Sequence, residues 1–343
     1  MTVTVPLPRG SYPVHIQPGG LDQWGAHLAA LSIRRWAVVS DETVAALYGG
    51  PVLDSLTRAG LSARLLTFPA GEDHKTPATW LTLCCQLAQA GFTRGDGLLA
   101  LGGGVTGDMA GFTAACYQRG MALVQAPTTL LAQVDSAVGG KTAVDLPEGK
   151  NLLGAFYQPC LVLIDPDCLA TLPPRELRCG AAEIIKYGLI CDPVLLDLMA
   201  ADVADWTPII ARCLTIKAAL VAADERDAGA RRLLNFGHTF GHAYEAAGGY
   251  TACTHGEAVA AGMAAILRWQ LRRGDDVRAA YDRLLPLLHR GGLPHTLPGA
   301  AAAAYLKQDK KREGETLHAV LLRAVGDACV EDVPLSALLE GLT

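Results

Sequence analysis

The chain has 343 residues, half of them hydrophobic and 18% charged, which is enough apolar material for two globular domains and excludes a disordered protein. A net charge of −5 excludes the broad positive field that draws proteins onto nucleic acid or anionic membranes. Residues 1–10 lack the features of a signal peptide, and no apolar run is long enough to span a membrane. We therefore expect a cytoplasmic protein with no nucleic-acid or membrane partner.

The first half of the chain alternates short apolar runs with helical stretches. Runs typical of β-strands lie at residues 36–39, 65–68, 98–101 and 123–125. This alternation is typical of a mostly parallel sheet covered by helices. The sequence thus predicts an α/β domain that ends near residue 173, where two consecutive prolines disfavour helix.

The second half is predicted to be mostly helical. Helical patterns cover residues 175–191, 208–223, 231–247, 257–273 and 277–290, and one late strand is predicted at residues 319–325. The ten cysteines are scattered without a C-x-x-C pair, which argues against a disulfide framework or a zinc cluster. We expect them to be reduced and to fill the interior as small apolar side chains.

A glycine-rich turn, residues 102–104, follows the run at 98–101, and a helical pattern begins at Met109. Glycines let backbone amides approach a diphosphate, and a helix N-terminus adds partial positive charge. The acidic residue that a Rossmann fingerprint carries about 20 residues later is missing. The turn therefore indicates either a dinucleotide site or a simple tight turn. Asp41 and residues 72–75 are alternative ribose and adenine contacts, or else solvated loops.

A candidate metal site lies in the helical half. His238 and His242 stand four residues apart and share one helix face, which is either a polar packed face or part of a metal site. Glu183 and His255 are candidates for further ligands on two other helices. Two imidazoles and one carboxylate leave a coordination position open, as in catalytic zinc sites. Such a set suits zinc or cobalt better than calcium.

Seven motifs occur in the same order as in the 3-dehydroquinate synthases, which the chain resembles over nearly its whole length. They are residues 102–108, 125–131, 134–141, 149–151, 182–186, 234–242 and 255–257. The resemblance implies a Rossmann-like NAD-binding domain over residues 1–173 and a mostly helical metal- and substrate-binding domain over residues 174–343.

The resemblance also implies a reaction, the conversion of 3-deoxy-D-arabino-heptulosonate 7-phosphate to 3-dehydroquinate and phosphate in the shikimate pathway. NAD oxidises one ring hydroxyl, phosphate is eliminated, and the hydride returns before the ring opens and closes again by an internal aldol step. The substrate phosphate itself supplies part of the base, so no strong protein base is required near Asp135.

Residue roles follow from the same resemblance. The implied metal ligands are Glu183, His238 and His255. The implied NAD contacts are Asp41, Glu72, Lys75, Gly103, Gly104, Val105, Asp108, Thr128, Thr129, Lys150 and Thr171. The implied substrate and catalytic residues are Asp135, Lys141, Asn151, Lys186, Lys217, Arg231, Asn235, His242 and Lys311, with Lys150 shared between the two sets. Arg119 would reach the site of a neighbouring subunit, which implies a homodimer. Such a concentration of Lys and Arg is what an acidic chain needs to bind a doubly anionic substrate.

Two departures from the family pattern are Asp227 in place of the usual Glu and Ala137 in place of the usual second Ser. Relatives that make 2-deoxy-scyllo-inosose carry Glu at the position of Asn235, and valiolone-type enzymes depart at residues 237–242, so both are disfavoured. An amino variant of the same synthase stays open. A polyol dehydrogenase that releases NADH and a binding module without catalysis are the alternatives from other classes.

Overall fold

The computed structural model describes residues 1–8, 10–227, 229–247, 253–296 and 316–340. The chain forms two compact units, the first made of Met1–Leu172 with Lys217–Arg226 and the second of Pro173–Ile216 with Asp227–Thr343. Within the described residues, no helix combines the length and apolar character that a membrane span requires.

The first unit is built on a seven-stranded sheet with the order β1-β2-β9-β6-β5-β3-β4. The strands of this unit are β1 (Thr2–Leu7), β2 (Gly10–Ile16), β3 (Arg35–Asp41), β4 (Ser62–Phe68), β5 (Gly97–Gly102), β6 (Ala122–Pro127), β7 (Lys141–Leu146), β8 (Gly149–Phe156) and β9 (Leu161–Ile164). Strands β1 and β2 are antiparallel, the other pairs of the sheet are parallel, and β7 and β8 form a separate hairpin. The four predicted strands are confirmed as β3 to β6.

Both faces of this sheet are buried, as β3 shows. Trp36 and Val38 pack into one apolar core, and Ala37 and Val39 pack into another on the opposite face. Side chains alternate between the two faces of a strand, so a run that is apolar at every position must be covered on both sides. The covering helices are α1 (Trp24–Ala29), α2 (Glu42–Val44), α3 (Gly50–Arg58), α4 (Pro77–Gln89) and α5 (Gly104–Cys116).

The chain passes from β3 to β4 on one side and then returns to β5 on the other side of β3. In open parallel sheets, ligands bind at the carboxyl ends of the strands at such a reversal. Here those ends are Asp41 of β3 and Gly102 of β5. Helix α5 begins at Gly104 rather than at the predicted Met109. Glycines lower helix propensity, but the amide of Gly107 donates to the Gly103 carbonyl and closes the first turn.

The second unit is mostly helical, as predicted. Its helices are α6 (Pro174–Ile190), α7 (Val194–Ala200), the first part of α8 (Thr207–Ala223), α9 (His238–Ala247), α10 (His255–Arg273), α11 (Arg278–Arg290) and α12 (Leu335–Glu340). Helix α10 packs against both α6 and α9. The single late strand is corrected to a hairpin of β10 (Thr316–Ala324) and β11 (Asp327–Pro334). The second strand lacks an apolar signal because most of its side chains are exposed or half-buried.

The prediction of one continuous helix over residues 231–247 is wrong, because the helix is interrupted. A 3-10 turn covers Ala230–Asn235, and α9 starts at His238. Gly237 between them has a φ of 79°, a left-handed backbone that cannot continue a right-handed helix. His238 and His242 nevertheless share one helix, as predicted.

The expectation that the cysteines fill the interior holds only in part. All ten thiols are free, but Cys85, Cys116 and Cys160 are exposed, whereas Cys168, Cys179 and Cys213 are buried. Cys85 and Cys116 lie on helices with both buried and exposed faces, and the spacing of cysteines alone does not tell which face each takes.

Candidate functional site

Glu183, His238 and His255 come together in the second unit from three different helices, α6, α9 and α10. Each offers one ligand atom, and these atoms all lie within 4.8 Å of one another. The Glu183 Oε1 atom is 3.2 Å from Nε2 of His255 and 3.7 Å from Nε2 of His238. This arrangement matches the geometry that a divalent cation with two imidazoles and one carboxylate requires.

Helix α10 is held so that His255 lies in its first turn. Thr254 and Glu257 form a capping box at its start, and Arg175 of α6 donates two hydrogen bonds to the Glu257 carboxylate at 3.1 and 2.8 Å. Gly256 allows the two helices to touch, because a Cβ there would lie 2.3 Å from the carbonyl oxygen of Cys179. The carboxylate of α6 and the imidazole of α10 are thereby brought within reach of each other.

Both histidine rings are oriented by their second nitrogen. Nδ1 of His238 lies 3.2 Å from the carbonyl oxygen of Phe236, and Nδ1 of His255 lies 3.6 Å from Oε1 of Glu245. In each case Nε2 is the nitrogen that faces Glu183. Metal-binding histidines commonly present one nitrogen to the ion and the other to a carbonyl or carboxylate.

The charges around Glu183 are unusual for a protein interior. Lys186 pairs through Nζ with Oε2 of Glu183, and both side chains are buried, so Oε1 is the oxygen that faces the histidines. Burial, with Lys186 nearby, holds the pKa of His238 well below 6.5 and keeps this ring neutral. Burial also opposes the charge on His255, but the bonds and charges of Glu183 and Glu245 outweigh it and raise its pKa to about 10. A neutral imidazole, a second imidazole between carboxylates and a carboxylate form a donor set that fits zinc or cobalt.

Three other predicted residues of this unit, Arg231, Asn235 and His242, lie close in sequence to His238. The His242 ring lies 5.3 Å from that of His238 and 6.5 Å from that of His255, and its side chain is exposed. Arg231 is buried and Asn235 is exposed in the 3-10 turn before α9. Lys311 lies outside the described residues. Sequence reasoning missed Glu245, although its spacing of three and seven residues from the two histidines of α9 places it on their helix face.

In the first unit, five predicted residues form a polar group that we call the Lys75 cluster, namely Glu72, Lys75, Asp108, Lys150 and Asn151. Nζ of Lys75 lies 2.6 Å from Oδ2 of Asp108 and 2.6 Å from Oδ1 of Asn151. Lys150 pairs with Glu72 at 3.3 Å. Burial lowers the pKa of Lys75, but Asp108 and Glu72 outweigh it and raise the pKa, so the ammonium stays charged.

The glycine turn of the first unit packs closely against the side chains of Thr129 and Ser136. A Cβ at Gly103 would lie 2.9 Å from Cγ2 of Thr129, and a Cβ at Gly104 would lie 3.3 Å from Oγ of Ser136. Val105 follows in the first turn of α5, and Thr128 is buried just after β6. Helix α5 begins at this turn, so the amides of its first turn are the groups that could bind the phosphates of a dinucleotide at the carboxyl end of β5.

Two further predicted NAD contacts already have protein partners. Asp41 caps α2 by accepting from the Val44 amide at 3.0 Å and accepts from the Thr106 hydroxyl at 3.2 Å. The Thr171 hydroxyl lies 2.5 Å from that of Tyr48. These contacts fix both side chains at the edge of the first unit.

The remaining predicted residues also belong to the first unit. Lys217 is buried, and its Nζ lies 2.6 Å from the carbonyl oxygen and 2.9 Å from Oδ1 of Asp135. Lys141 begins β7 and is exposed. Arg119 is exposed, and both it and Gln118 have a left-handed backbone, with φ of 66° and 49°.

Solved structures of two enzymes share this architecture along nearly the whole chain. A 2-deoxy-scyllo-inosose synthase solved with carbaglucose-6-phosphate, NAD+ and Co2+ matches with a TM-score of 0.87 and 26% identity, covering 100% of this chain and 99% of that one. The 2-epi-5-epi-valiolone synthase of Streptomyces hygroscopicus, with NAD+ and Zn2+ bound, matches with a TM-score of 0.86 and 31% identity, covering 98% and 97%. The fold and the site therefore define the class as the sugar phosphate cyclases.

Within that class, sequence comparison is more specific. The 3-dehydroquinate synthase of Azotobacter vinelandii is 48% identical over 350 residues, which cover 98% of this chain and 95% of that protein. The families "3-dehydroquinate synthase N-terminal" and "3-dehydroquinate synthase C-terminal" match residues 65–179 and 180–312. The chain belongs to the 3-dehydroquinate synthase family.

Proposed function

We propose that the chain closes 3-deoxy-D-arabino-heptulosonate 7-phosphate into 3-dehydroquinate with release of phosphate. The observation that carries this proposal is the grouping of Glu183, His238 and His255 around one point, in a chain 48% identical to a 3-dehydroquinate synthase over nearly its full length. A cytoplasmic location stays a prediction.

The cofactors of this reaction are NAD and one divalent metal, zinc or cobalt. Glu183, His238 and His255 would hold the metal, and the glycine turn with the Lys75 cluster would hold NAD. When bound, the metal would supply Lewis-acid polarisation of the substrate, and NAD would supply reversible hydride transfer.

The chain's own residues bind and orient the anionic substrate. We assign this role to Lys141, Lys186, Lys217 and Arg231, together with Asn151, Asn235 and His242. Lys217 is supported by its two contacts with Asp135, which fix a buried ammonium in one position. The role of Lys186 is supported by its pairing with Glu183, which places an ammonium group that could bind the substrate next to the proposed metal ligands. Cations fixed in this way bind a carboxylate or phosphate with little loss of side-chain entropy.

The amino variant of the same reaction is the second candidate, since its substrate presents the same anionic groups. The polyol dehydrogenase is less well supported, because a neutral polyol carries no charged group that would need the predicted concentration of Lys and Arg side chains. Identity also favours the synthase, at 48% against 26% for the 2-deoxy-scyllo-inosose synthase.

The direct test is to incubate the purified protein with the heptulosonate phosphate, NAD and Zn2+, and to identify the product by mass. We expect one phosphate released per 3-dehydroquinate formed and no net NADH at 340 nm. A faster reaction with the amino substrate would favour the variant, and NADH accumulation with glycerol would favour the dehydrogenase.

We also propose a homodimer in which Arg119 serves the partner's site. The strained turn at Gln118 is held by its side chain, which accepts from the Arg94 amide at 3.0 Å and donates to the Phe92 carbonyl at 3.4 Å. Strained backbone persists where contacts enforce it and is common at functional positions. The turn therefore supports a specific role for the exposed guanidinium of Arg119.

A strand with exposed apolar side chains ends close to Gly120, the residue after Arg119. The Tyr157 hydroxyl would lie 3.3 Å from a Cβ at Gly120, and β8, which ends just before Tyr157, exposes Leu152 and Phe156 by 56% and 47%. Exposed apolar side chains grouped on one strand are typical of an interface. A second copy of the chain is the occupant that would also give Arg119 a site to complete.

Mixed dimers test this sharing. Arg119→Ala and Lys141→Ala should each abolish turnover alone, whereas dimers with one subunit of each kind should regain one working site. Verified mixed dimers without activity would count against Arg119 acting across the interface. The product assay above does not depend on this outcome.

A further inference from the structure

Glu245 is a buried carboxylate that belongs to none of the predicted sets of metal, NAD or substrate residues. It lies on α9, the helix of His238 and His242, and only 6% of its side chain is exposed. A carboxylate removed from water is costly unless a positive partner or hydrogen-bond donor faces it. Its Oε1 atom lies 3.6 Å from Nδ1 of His255 on helix α10.

The His255 ring is therefore held between two carboxylates. Its Nε2 faces Glu183 at 3.2 Å and its Nδ1 faces Glu245 at 3.6 Å. An imidazole that binds a metal through Nε2 must carry its proton on Nδ1, and an acceptor at Nδ1 selects that tautomer. Glu245 presents its carboxylate to this nitrogen at an ion-pair distance, so its negative charge favours the proton on Nδ1.

The two histidines differ in this respect. The ring of His238 is oriented by a backbone carbonyl, that of Phe236, at 3.2 Å. A carbonyl fixes the ring but adds no net charge, whereas a carboxylate does both. A side-chain substitution at Glu245 can therefore remove the partner of His255. The partner of His238 is a backbone carbonyl, which no side-chain substitution removes.

Charge balance favours the same role. Lys186 pairs with Glu183 and neutralises the only negative charge among the three proposed ligands. A divalent cation at this point would gain little net attraction from that pair. Glu245 supplies a second negative charge, separated from the cation only by the imidazole of His255.

We infer that Glu245 is a positioning residue that holds the Nδ1 proton of His255 and sets how tightly the cluster binds a divalent cation. This inference rests on the proposed function only in assuming that the cluster binds metal. It predicts a loss of metal affinity before any loss of the fold.

Zinc affinity of the metal-free protein tests the inference. The stripped full-length protein is titrated with Zn2+ against a chromogenic chelator, for the wild type, Glu245→Gln, His255→Ala and the control Asp282→Asn. The control removes an exposed carboxylate of the same unit, on α11. We expect Glu245→Gln to bind Zn2+ about 10 to 100 times more weakly, Asp282→Asn to match the wild type, and His255→Ala to bind most weakly.

A second readout separates positioning from a merely structural role. The visible absorption bands of the Co2+-loaded protein should shift in Glu245→Gln, because a neutral amide no longer places a negative charge beside the imidazole of His255, while the circular dichroism stays that of the wild type. If Glu245→Gln does not fold, Glu245→Asp is the variant to test. It keeps the negative charge, but its side chain is one methylene shorter and holds the carboxylate farther from His255. Weaker Zn2+ binding by that variant supports the inference, and unchanged binding overturns it.

The outcomes distinguish the two proposals. Equal Zn2+ affinity and equal Co2+ spectra for the wild type and Glu245→Gln, with weak binding by His255→Ala, would overturn the role of Glu245 alone. A wild type that binds Zn2+ no better than His255→Ala would overturn both this inference and the proposed metal site.

Discussion

Each unit contains a buried lysine paired with a carboxylate in its candidate site, Lys75 with Asp108 in the first and Lys186 with Glu183 in the second, and these two pairs differ in what surrounds them. In the first unit, Asp108 keeps 22% of its side chain exposed, and Lys75 is shared with the neutral amide of Asn151. In the second unit, Glu183 is fully buried and faces two imidazoles as well as Lys186. The first pair is balanced by its own partners and by water. The second belongs to a group with a second carboxylate, Glu245, and is suited to a further cation.

The largest expected effect tests the cation requirement of the second unit. His255→Ala removes one of two imidazoles, so we expect the purified protein to lose its metal and its turnover to fall by about a thousandfold or more. Metal content by mass spectrometry and phosphate release measure the two losses. NAD affinity should stay within about twofold of the wild type, and full activity in the metal-free variant would defeat the assignment.

In the first unit, we expect a substitution of Lys75 to weaken the binding of NAD. Lys75→Met leaves Asp108 and Asn151 without their shared donor, so we expect NAD to bind about 10 times more weakly, or about 1.4 kcal/mol. Fluorescence titration with NADH measures this change, and metal content should not move. Arg58→Met is the control, because it breaks an exposed pair with Asp22 in the same unit. Equal NADH affinity for Lys75→Met and the control would remove Lys75 from the nucleotide site.

A smaller effect separates helix packing from ligand chemistry. Gly256→Ala places a Cβ 2.3 Å from a backbone oxygen of α6, which can be relieved only by moving a helix, so we expect a loss of about 1–3 kcal/mol in stability. Gly50→Ala is the matched control, because no atom lies within 4 Å of its added Cβ and its φ of −59° suits alanine. Thermal unfolding should show a lower midpoint for the first variant only. Unchanged stability of Gly256→Ala would mean that the two helices are not held by close contact there.

The smallest effect concerns an ordinary surface group of the second unit, as a contrast with the buried pairs. Burial raises the pKa of Asp275, but hydrogen bonds from Arg273 and Gln270 outweigh it and leave the pKa below its usual value. The carboxylate therefore adds stability above its unfolded pKa of about 3.9, and this is lost as the pH falls through its lower folded value. After solvent screening we expect less than about 1 kcal/mol. Asp275→Asn should reduce the fall in urea midpoint between pH 6 and pH 3; an identical fall in both proteins would exclude the contribution.

The first unit could be predicted well where the signal was local. Strand β5 and the centre of β3, residues 36–39, are apolar at every position because helices cover both faces of the sheet, so these short runs stand out in the sequence. The hairpin of β7 and β8 could not be predicted this way. Most side chains of β8 are exposed, so its pattern lacks the alternation of a half-buried strand.

In the second unit, the proposed ligands of the metal site could be named from sequence motifs. The side chains that hold those ligands in place could not. The pairing of Glu245 with His255 joins two helices, and no spacing along the chain reveals it. The break at residue 237 was missed because the residues on both sides have the helical period. The backbone reversal depends on one glycine packed against α10.

That glycine limits how the enzyme can be redesigned. A side chain at Gly237 would have to accept a left-handed backbone with its Cβ 2.7 Å from Met263 and 2.9 Å from the carbonyl oxygen of Val259. Asn235 and His242 are exposed on either side of it. A mutant library aimed at other sugar phosphates can therefore vary those two positions while position 237 is kept constant.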